Sequence, residues 1–125
     1  MSNFTSTLDD VSELAELRGW SKASHQLRLD GSVAIDKRQS LVDCFNREGD
    51  KRSLFLLSSK AGGVGINLIG GSRLVMMDCD WNPATDKQAM SRVWRQGQKK
   101  PVYIYRLIAI GCIEDSILQV RTVAS

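Results

Sequence analysis

The sequence predicts an α/β fold, a single domain in which a mostly parallel sheet carries helices on its faces. Three observations lead there. A chain of 125 residues supports one layered core, since domains commonly run to about 100–200 residues. A composition of 42% hydrophobic and 25% charged residues is that of an ordinary globular domain, and it excludes collagen, low-complexity disorder and a coiled coil. Segments with apolar residues at helical spacing alternate with short continuous apolar runs, the alternation that builds a parallel sheet covered by helices.

Each element has its own local cause. Thr5–Arg18 reads as a helix because Leu8, Val11, Leu14, Ala15 and Leu17 recur at steps of three and four and form one apolar stripe. Thr7 with Asp10 fits a capping box, with Thr5 as the other candidate cap, and Gly19 suits the stop. His25–Leu29 follows as a short strand closed by the Asp30-Gly31 turn signal. Ile35, Leu41, Val42 and Phe45 mark a second helix ending near Asn46, with Ser32 as its candidate cap. Glu48-Gly49-Asp50 is a turn. Ser53–Ser58 is almost continuously apolar, so it is expected to be covered on both faces, and Arg73–Met77 is a second strand of this buried type. Between them fall Gly62, Gly63, Gly65, Gly70 and Gly71. Asp78–Pro83 is a loop, and Pro83 opens a helix reaching Trp94 or Arg95, which Gly97 ends. Pro101–Ile108 is a β-rich strand and Ile113–Val120 a last short helix. Ligands of such sheets bind at the carboxyl ends of strands, so the loops of interest are Ser58–Leu68 and Asp78–Pro83.

Several function classes drop out. The longest apolar runs, Leu54–Leu57 and Leu74–Met77, fall far short of the roughly 20 residues of a membrane helix, and no membrane partner is expected. The N-terminal stretch holds Asp9, Asp10, Glu13 and Glu16 and no apolar signal region. Cys44, Cys79 and Cys112 are odd in number and far apart, which argues against a disulfide framework and for a reducing intracellular setting. With one histidine and no Cys-x-x-Cys, no metal site is expected. Net charge of +3 implies no partner. Yet Lys87, Arg92, Arg95, Lys99, Lys100 and Arg106 occur without an intervening acid. Such a block either attracts phosphates or is a solvated face.

Three constellations carry candidate chemistry. In Ser58–Leu68 the glycines let backbone N–H groups approach an anion. The run lacks the Gly-Lys-Ser/Thr of a P-loop and the last glycine of a dinucleotide fingerprint. It is either a phosphate-contacting loop or a tight turn that lets a helix pack. In Gln88–Gln98, Arg92 and Arg95 are spaced to share one helical face. Arginine suits phosphate because its planar fork bonds in pairs; the alternative is two solvated arginines. In Asp78–Asp86 the carboxylates cluster as a metal site would, but Asn82 as cap and Pro83 at the first helical position explain the run better. Trp81 either stacks on a partner or covers the sheet edge.

These runs resemble the second RecA-like lobe of the Swi/Snf-related DNA translocases, within the superfamily-two helicases. SSKAGGVGINLIGGSRLVMMD resembles helicase motif V, and DWNPATDKQAMSRVWRQGQKKPVYIYRL the Trp-Asn-Pro segment and motif VI. RLDGS at Arg28–Ser32 and RQSLVDCFN at Arg38–Asn46 resemble the region between motifs IV and V. Ser-Arg-Val-Trp-Arg resembles the recombinational-repair branch named for radiation sensitivity, with its B-type paralogue.

The resemblance implies a RecA-like three-layer sandwich over residues 1–118, incomplete at its N-terminal edge, and a divergent tail at 119–125. It implies that ATP with Mg²⁺ sits between this lobe and a first lobe carrying the P-loop lysine. Arg92 and Arg95 match the arginine fingers, Gln88 the motif VI glutamine near the phosphates, and Gly65 and Asn67 the motif V positions facing nucleotide and lobe interface. Ser59 and Lys60 match residues touching the DNA backbone. Gly31 and Ser32 match a backbone-contacting turn, and Trp81 a tryptophan linking the DNA and ATP sites. The implied whole is a nuclear, ATP-dependent double-stranded-DNA translocase of homologous recombination that remodels recombinase filaments. The sequence departs from that pattern in two places. No first lobe is present, so the chain alone is not expected to hydrolyse ATP. The strand that should precede Ser2 is missing except for its end, which should leave an unpaired edge and mark a fragment. The rival expectations are a truncated, non-catalytic DNA- or partner-binding module and a remnant without stable fold.

Overall fold

A computed structural model describes residues 1–61, 65–114, 116, 117 and 119. Along it run α1 (Thr5–Leu17), β1 (Gln26–Leu29), α2 (Ile35–Asn46), β2 (Leu54–Leu57), β3 (Arg73–Met76), α3 (Pro83–Met90) and β4 (Tyr103–Arg106). Each lies inside the segment its pattern marked. Of the expected last helix, residues 113, 114, 116, 117 and 119 have helical backbone; Asp115, Leu118, Val120 and the tail 121–125 lie outside the described residues.

The strand pairs are parallel. β1 lies beside β2 with Leu29 opposite Leu57, and β3 beside β4 with Leu74 opposite Ile104. Met1 and Ser2 join the two ladders. Ser2 bridges Ser58 in parallel, its N–H donating to Leu57 O at 3.1 Å and its carbonyl accepting from Ser59 N at 2.9 Å. On the other side the Met1 amine donates to Val75 O at 2.8 Å, and Met77 N donates to Met1 O at 2.9 Å. The sheet is continuous only where these residues stand.

Side-chain alternation separates two faces. On one, Gln26 and Arg28 meet α1: the Ser12 hydroxyl donates to Gln26 Oε1 at 2.6 Å, and Arg28 bonds Asp9. On the other, Leu29, Leu57, Leu74 and Met76 form the main core with Val42 of α2 and Ala89 of α3. There Phe55 meets Phe45 edge to face, ring centroids 5.2 Å apart. Helices therefore cover both faces at β1 and β2.

Four local expectations are corrected. Neither Thr7 nor Thr5 caps α1; it starts at Thr5 with Phe4 at the cap position and no side-chain cap. Tertiary contacts instead fix the residues just ahead of it. The Ser2 hydroxyl donates to Asp78 Oδ1 at 2.6 Å, and Asn3 N donates to Asp78 Oδ2 at 2.5 Å. Ser32 does not cap α2, whose cap position is Ala34, because its hydroxyl and N–H are bonded to Asp30. The α1 stripe is narrower than expected: Leu8 is buried but Leu14 and Leu17 are exposed. β3 is buried on one face only, Leu74 and Met76 inward and Val75 40% exposed, since α1 does not reach across it. Gly19 behaves as expected. With φ +87° it closes α1, Gly19 N donating to Glu16 O and Trp20 N to Ala15 O, the paired C-terminal bonds of a Schellman motif.

Candidate functional site

The carboxyl ends of β1 and β2 open beside the start of α1. At the end of β1, Asp30 is buried and accepts from Ser32 N at 2.9 Å, from the Ser32 hydroxyl and from Arg28 Nε at 2.6 Å. The Ser32 hydroxyl first, then Arg28, pull its carboxyl down to about 2. This clamp holds the Gly31–Ser32 turn, both residues exposed. At the end of β2, the Arg38 guanidinium donates from Nη1 to Ala61 O at 2.8 Å and from Nε to Val33 O at 3.1 Å. Arg38 thus ties the turn after β1 to the turn after β2.

A cleft of about 490 Å³ lies between them, lined by Gly31, Arg38, Lys60 and the α1 residues Thr5 and Ser6. Lys60 is exposed, and α1 opens here with no side-chain cap; a helix N-terminus favours negative charge. Two cations and that helix end suit a phosphate chain. Of the four candidate backbone-contacting residues, Gly31 and Lys60 line this cleft, whereas Ser59 lines a small niche with Asp78, Asp80 and Asp86. Ser32 is engaged with Asp30 and stands at the rim.

The glycine-rich stretch divides by position. Gly70 serves packing: a Cβ there would lie 2.6 Å from Phe45 O and 2.8 Å from Asn46 Cα. Gly65 has φ +110° and open space around it, so it is held for backbone conformation and is free to meet a ligand. Gly62, Gly63 and Val64 lie outside the described residues. Asn46 clamps the loop, donating from Nδ2 to Asn67 O at 2.7 Å and accepting from Gly70 N at 2.8 Å. Asn67 Oδ1 is buried and lacks a hydrogen-bond partner among the described residues.

Arg92 and Arg95 do not share a helical face, which corrects the helix expected to reach Trp94 or Arg95. α3 ends at Met90. The Ser91 hydroxyl donates to Gln88 O at 2.8 Å, and such a bond competes with the helical ladder. The chain continues in turns closed by Gly97 at φ +99°. Arg92 is 6% exposed, and Arg95 is exposed. Arg92 Nη1 has no hydrogen-bond partner among the described residues, and burial lowers its pKa from the ordinary arginine value; arginine stays charged regardless. Its carbonyl accepts from Leu68 N at 2.8 Å, which ties the glycine-rich loop to the arginine turn. Gln88 is exposed on α3. Asn82 does cap α3, accepting from Ala84 N at 2.9 Å. Trp81 is 64% exposed.

Sequence reading missed Arg38, Asn46 and Asp78, which hold the site together. Their signal is faint because each bonds atoms distant in sequence: Arg38 to Ala61, Asn46 to Asn67 and Gly70, Asp78 to Ser2 and Asn3. Asp30 was legible only as a turn residue.

A model of the helicase conserved C-terminal domain matches residues 1–97. The chain is 57% identical over 122 residues to the DNA repair and recombination protein RAD54-like of Drosophila grimshawi, and equally to that of Drosophila virilis. These alignments cover 98% of this chain and 15% of each relative, so the chain spans about 15% of the length of the relatives it matches. The crystal structure of the C-terminal part of the Fun30 ATPase domain superposes with a TM-score of 0.84 at 39% identity, over 95% of this chain and 36% of that one.

Proposed function

Because the chain belongs to the helicase conserved C-terminal domain family, we propose that it is the second RecA-like lobe of an ATP-dependent motor that moves along double-stranded DNA in recombinational repair. The RAD54-like relatives, named for DNA repair and recombination, support the process. The parallel α/β lobe shared with the Fun30 ATPase part supports the motor. A nuclear location and action on recombinase filaments follow from the same reading.

The observation that carries it is Arg92. A buried guanidinium N–H without a partner costs about 1–3 kcal/mol, and a bound ligand is one explanation of such an orphan. It sits one hydrogen bond from Leu68, beside Asn67, whose Oδ1 is also unpartnered among the described residues. An anionic phosphate chain, held with Mg²⁺ on a first lobe, fits the Arg92 donor, while Asn67 Oδ1, an acceptor, would take a donor beside it. ATP would supply the energy of phosphoryl transfer. Arg92 and Arg95 would neutralise charge on the transferred group, Gly65 and Asn67 would border the nucleotide, and Gln88 would orient near the phosphates. Gly31, Ser32, Lys60 and Ser59 would follow the DNA backbone, and Trp81 would stand between the two sites.

The chain alone is expected to show no DNA-stimulated ATP hydrolysis. Fused behind a first lobe with an intact P-loop, it should restore hydrolysis. Arg92→Ala or Arg95→Ala should then lower turnover by about 10³–10⁵, and Lys at either position should not rescue fully, because a point charge lacks the fork. A fall of less than about threefold, under 1 kcal/mol of barrier, would overturn the arginine assignment. DNA binding without restored hydrolysis would make the chain a binding module.

A further inference from the structure

We propose that Ser21, in the loop between α1 and β1, is a phosphorylation site: a serine/threonine kinase of the class that selects basic substrates transfers a phosphoryl group from ATP to its hydroxyl, and the arginines beside the loop then hold the phosphate. The inference is independent of the nucleotide and DNA reading.

The first argument is selection. Arg18-Gly19-Trp20-Ser21 places an arginine three residues ahead of the hydroxyl, and no other serine or threonine of the chain has one there. Kinases distinguish substrates by such charge patterns, and the acidic substrate cleft of the basic-directed class takes an arginine at that distance.

The second argument is access. A kinase takes its substrate in extended form, so the residues around the acceptor must open locally. Every residue from Glu16 to Ser24 is exposed. The Ser21 hydroxyl accepts from Ser24 N at a long 3.3 Å. Drawing the loop out breaks the bond from Gln26 Nε2 to Trp20 O at 2.6 Å but takes no buried side chain from the core. Two other serines in charged surroundings fail this condition. Ser40 follows Lys37 and Arg38, and Ser6 precedes Asp9 and Asp10, but Val42 and Leu8, two residues beyond them, are 3% and 1% exposed.

The third argument is what receives the phosphate. Ser21 O accepts from His25 N at 2.9 Å, and His25 O accepts from Ser53 N at 3.0 Å, so the loop lies beside the residue that follows Arg52. Trp20, next to Ser21, shares the wall of a cavity of about 500 Å³ with Arg47, Arg52 and Arg73, against Glu48 and Asp50. Arg52 Nη1 donates to Cys44 Sγ at 3.1 Å, and sulfur is a weak acceptor. A phosphoserine carries about −1.5 to −2 charges and strong acceptor oxygens, which arginine binds as a bidentate fork. Arg52 gains by exchanging the thiol for the phosphate, and the α1–β1 loop becomes tied to the α2–β2 turn. In the transfer, the Ser21 oxygen bonds the γ-phosphorus of ATP, the bond from that phosphorus to the bridging oxygen breaks, and ADP leaves. The hydroxyl proton passes to the catalytic carboxylate of the kinase.

The test incubates the full chain with ATP, Mg²⁺ and a purified kinase of Arg-x-x-Ser preference, and maps the phosphate by mass spectrometry. Ser21 should carry it, Ser21→Ala should leave the chain unmodified, and Arg18→Ala should slow incorporation by about tenfold. The phosphate is then titrated by phosphorus NMR. Held by arginine, it should lose its second proton below the usual value of about 6. Arg47→Gln with Arg52→Gln should restore that value without slowing incorporation, and about 1 M salt should restore it in the parent chain. No phosphate on Ser21, or incorporation that begins only after urea unfolding, would overturn the site. Titration at the usual value, or a lowered value that survives both arginine substitutions or high salt, would overturn the capture by arginine.

Discussion

Asp30 and Arg92 show opposite ways in which one side chain can be held. Asp30 accepts from Ser32 and Arg28, and its carboxyl falls from 3.8 to about 2. A carboxyl depressed by folding stabilises the protein above its unfolded pKa, and that stability is lost as pH falls from about 4 to about 2. One pKa unit is about 1.4 kcal/mol. Arg28 is partly solvated, so the contribution is at most about 2 kcal/mol. Denaturant unfolding at pH 6 and pH 2.5 should show that loss in the parent, and Asp30→Asn should flatten it. An equal slope in both would place the acid sensitivity elsewhere. Arg92 is the reverse case, a buried donor whose Nη1 has no partner among the described residues. Arg92→Met should therefore leave the chain equally stable or stabilise it by up to about 1–3 kcal/mol, while removing first-lobe-dependent hydrolysis. A loss of more than 1 kcal/mol in denaturant melts would mean that the guanidinium is structural. Sequence marked Arg92 for its spacing to Arg95, yet the spacing argument assumed a helix that ends before either residue. What distinguishes Arg92 is burial, which no pattern of charges reveals.

At the scale of elements, the apolar pattern located the helices and strands among the described residues; most have a buried side, whereas β4 has only the half-buried Ile104. The helix ends were harder. Gly19 and Asn82 were legible, since a left-handed closing residue and an Asn-Pro entry act locally. The start of α1 was not, because no side chain caps it and the residues just ahead of it are held by Asp78 from beyond β3. The end of α3 was not, because the Ser91 hydroxyl turns back to Gln88. The coverage of β3 was misread for a related reason: Leu-Val-Met-Met is apolar throughout, but which face meets a helix depends on where α1 lies. The loop from Ser58 to Leu68 was read as either a packing turn or phosphate contact; close packing is seen just beyond it, at Gly70. Gly70→Ala should therefore be destabilising by about 1–3 kcal/mol, since its Cβ would collide with backbone of Phe45 and Asn46 that cannot swing aside. Gly65→Ala should cost about 1–2 kcal/mol through its positive φ alone. Melts of the two variants check this, and a harmless Gly70→Ala would show that α2 and the loop are not in firm contact.

For the whole molecule, the sheet gathers functional groups at its carboxyl edge but separates the basic residues into two populations. Arg38 and Lys60 line the cleft at the ends of β1 and β2. Lys87, Arg95, Lys99, Lys100 and Arg106 are exposed elsewhere, and the sequence, which showed them as one block, gave no means of telling a solvated face from a binding one. Salt dependence separates them. Each phosphate neutralised lowers log K by about 0.9 per decade of salt. If duplex DNA sits on the cleft, two cations give a slope of roughly −2, and the turn amides at Gly31 add affinity without adding slope. Lys60→Ala should then weaken binding for every DNA sequence alike and reduce the slope by about 1. If the exposed block holds the DNA instead, the slope is steeper, roughly −4 to −5, and Lys60→Ala changes nothing. Titrations across a range of salt with the parent and Lys60→Ala decide it. A steep slope that survives the substitution would move the DNA path away from the cleft.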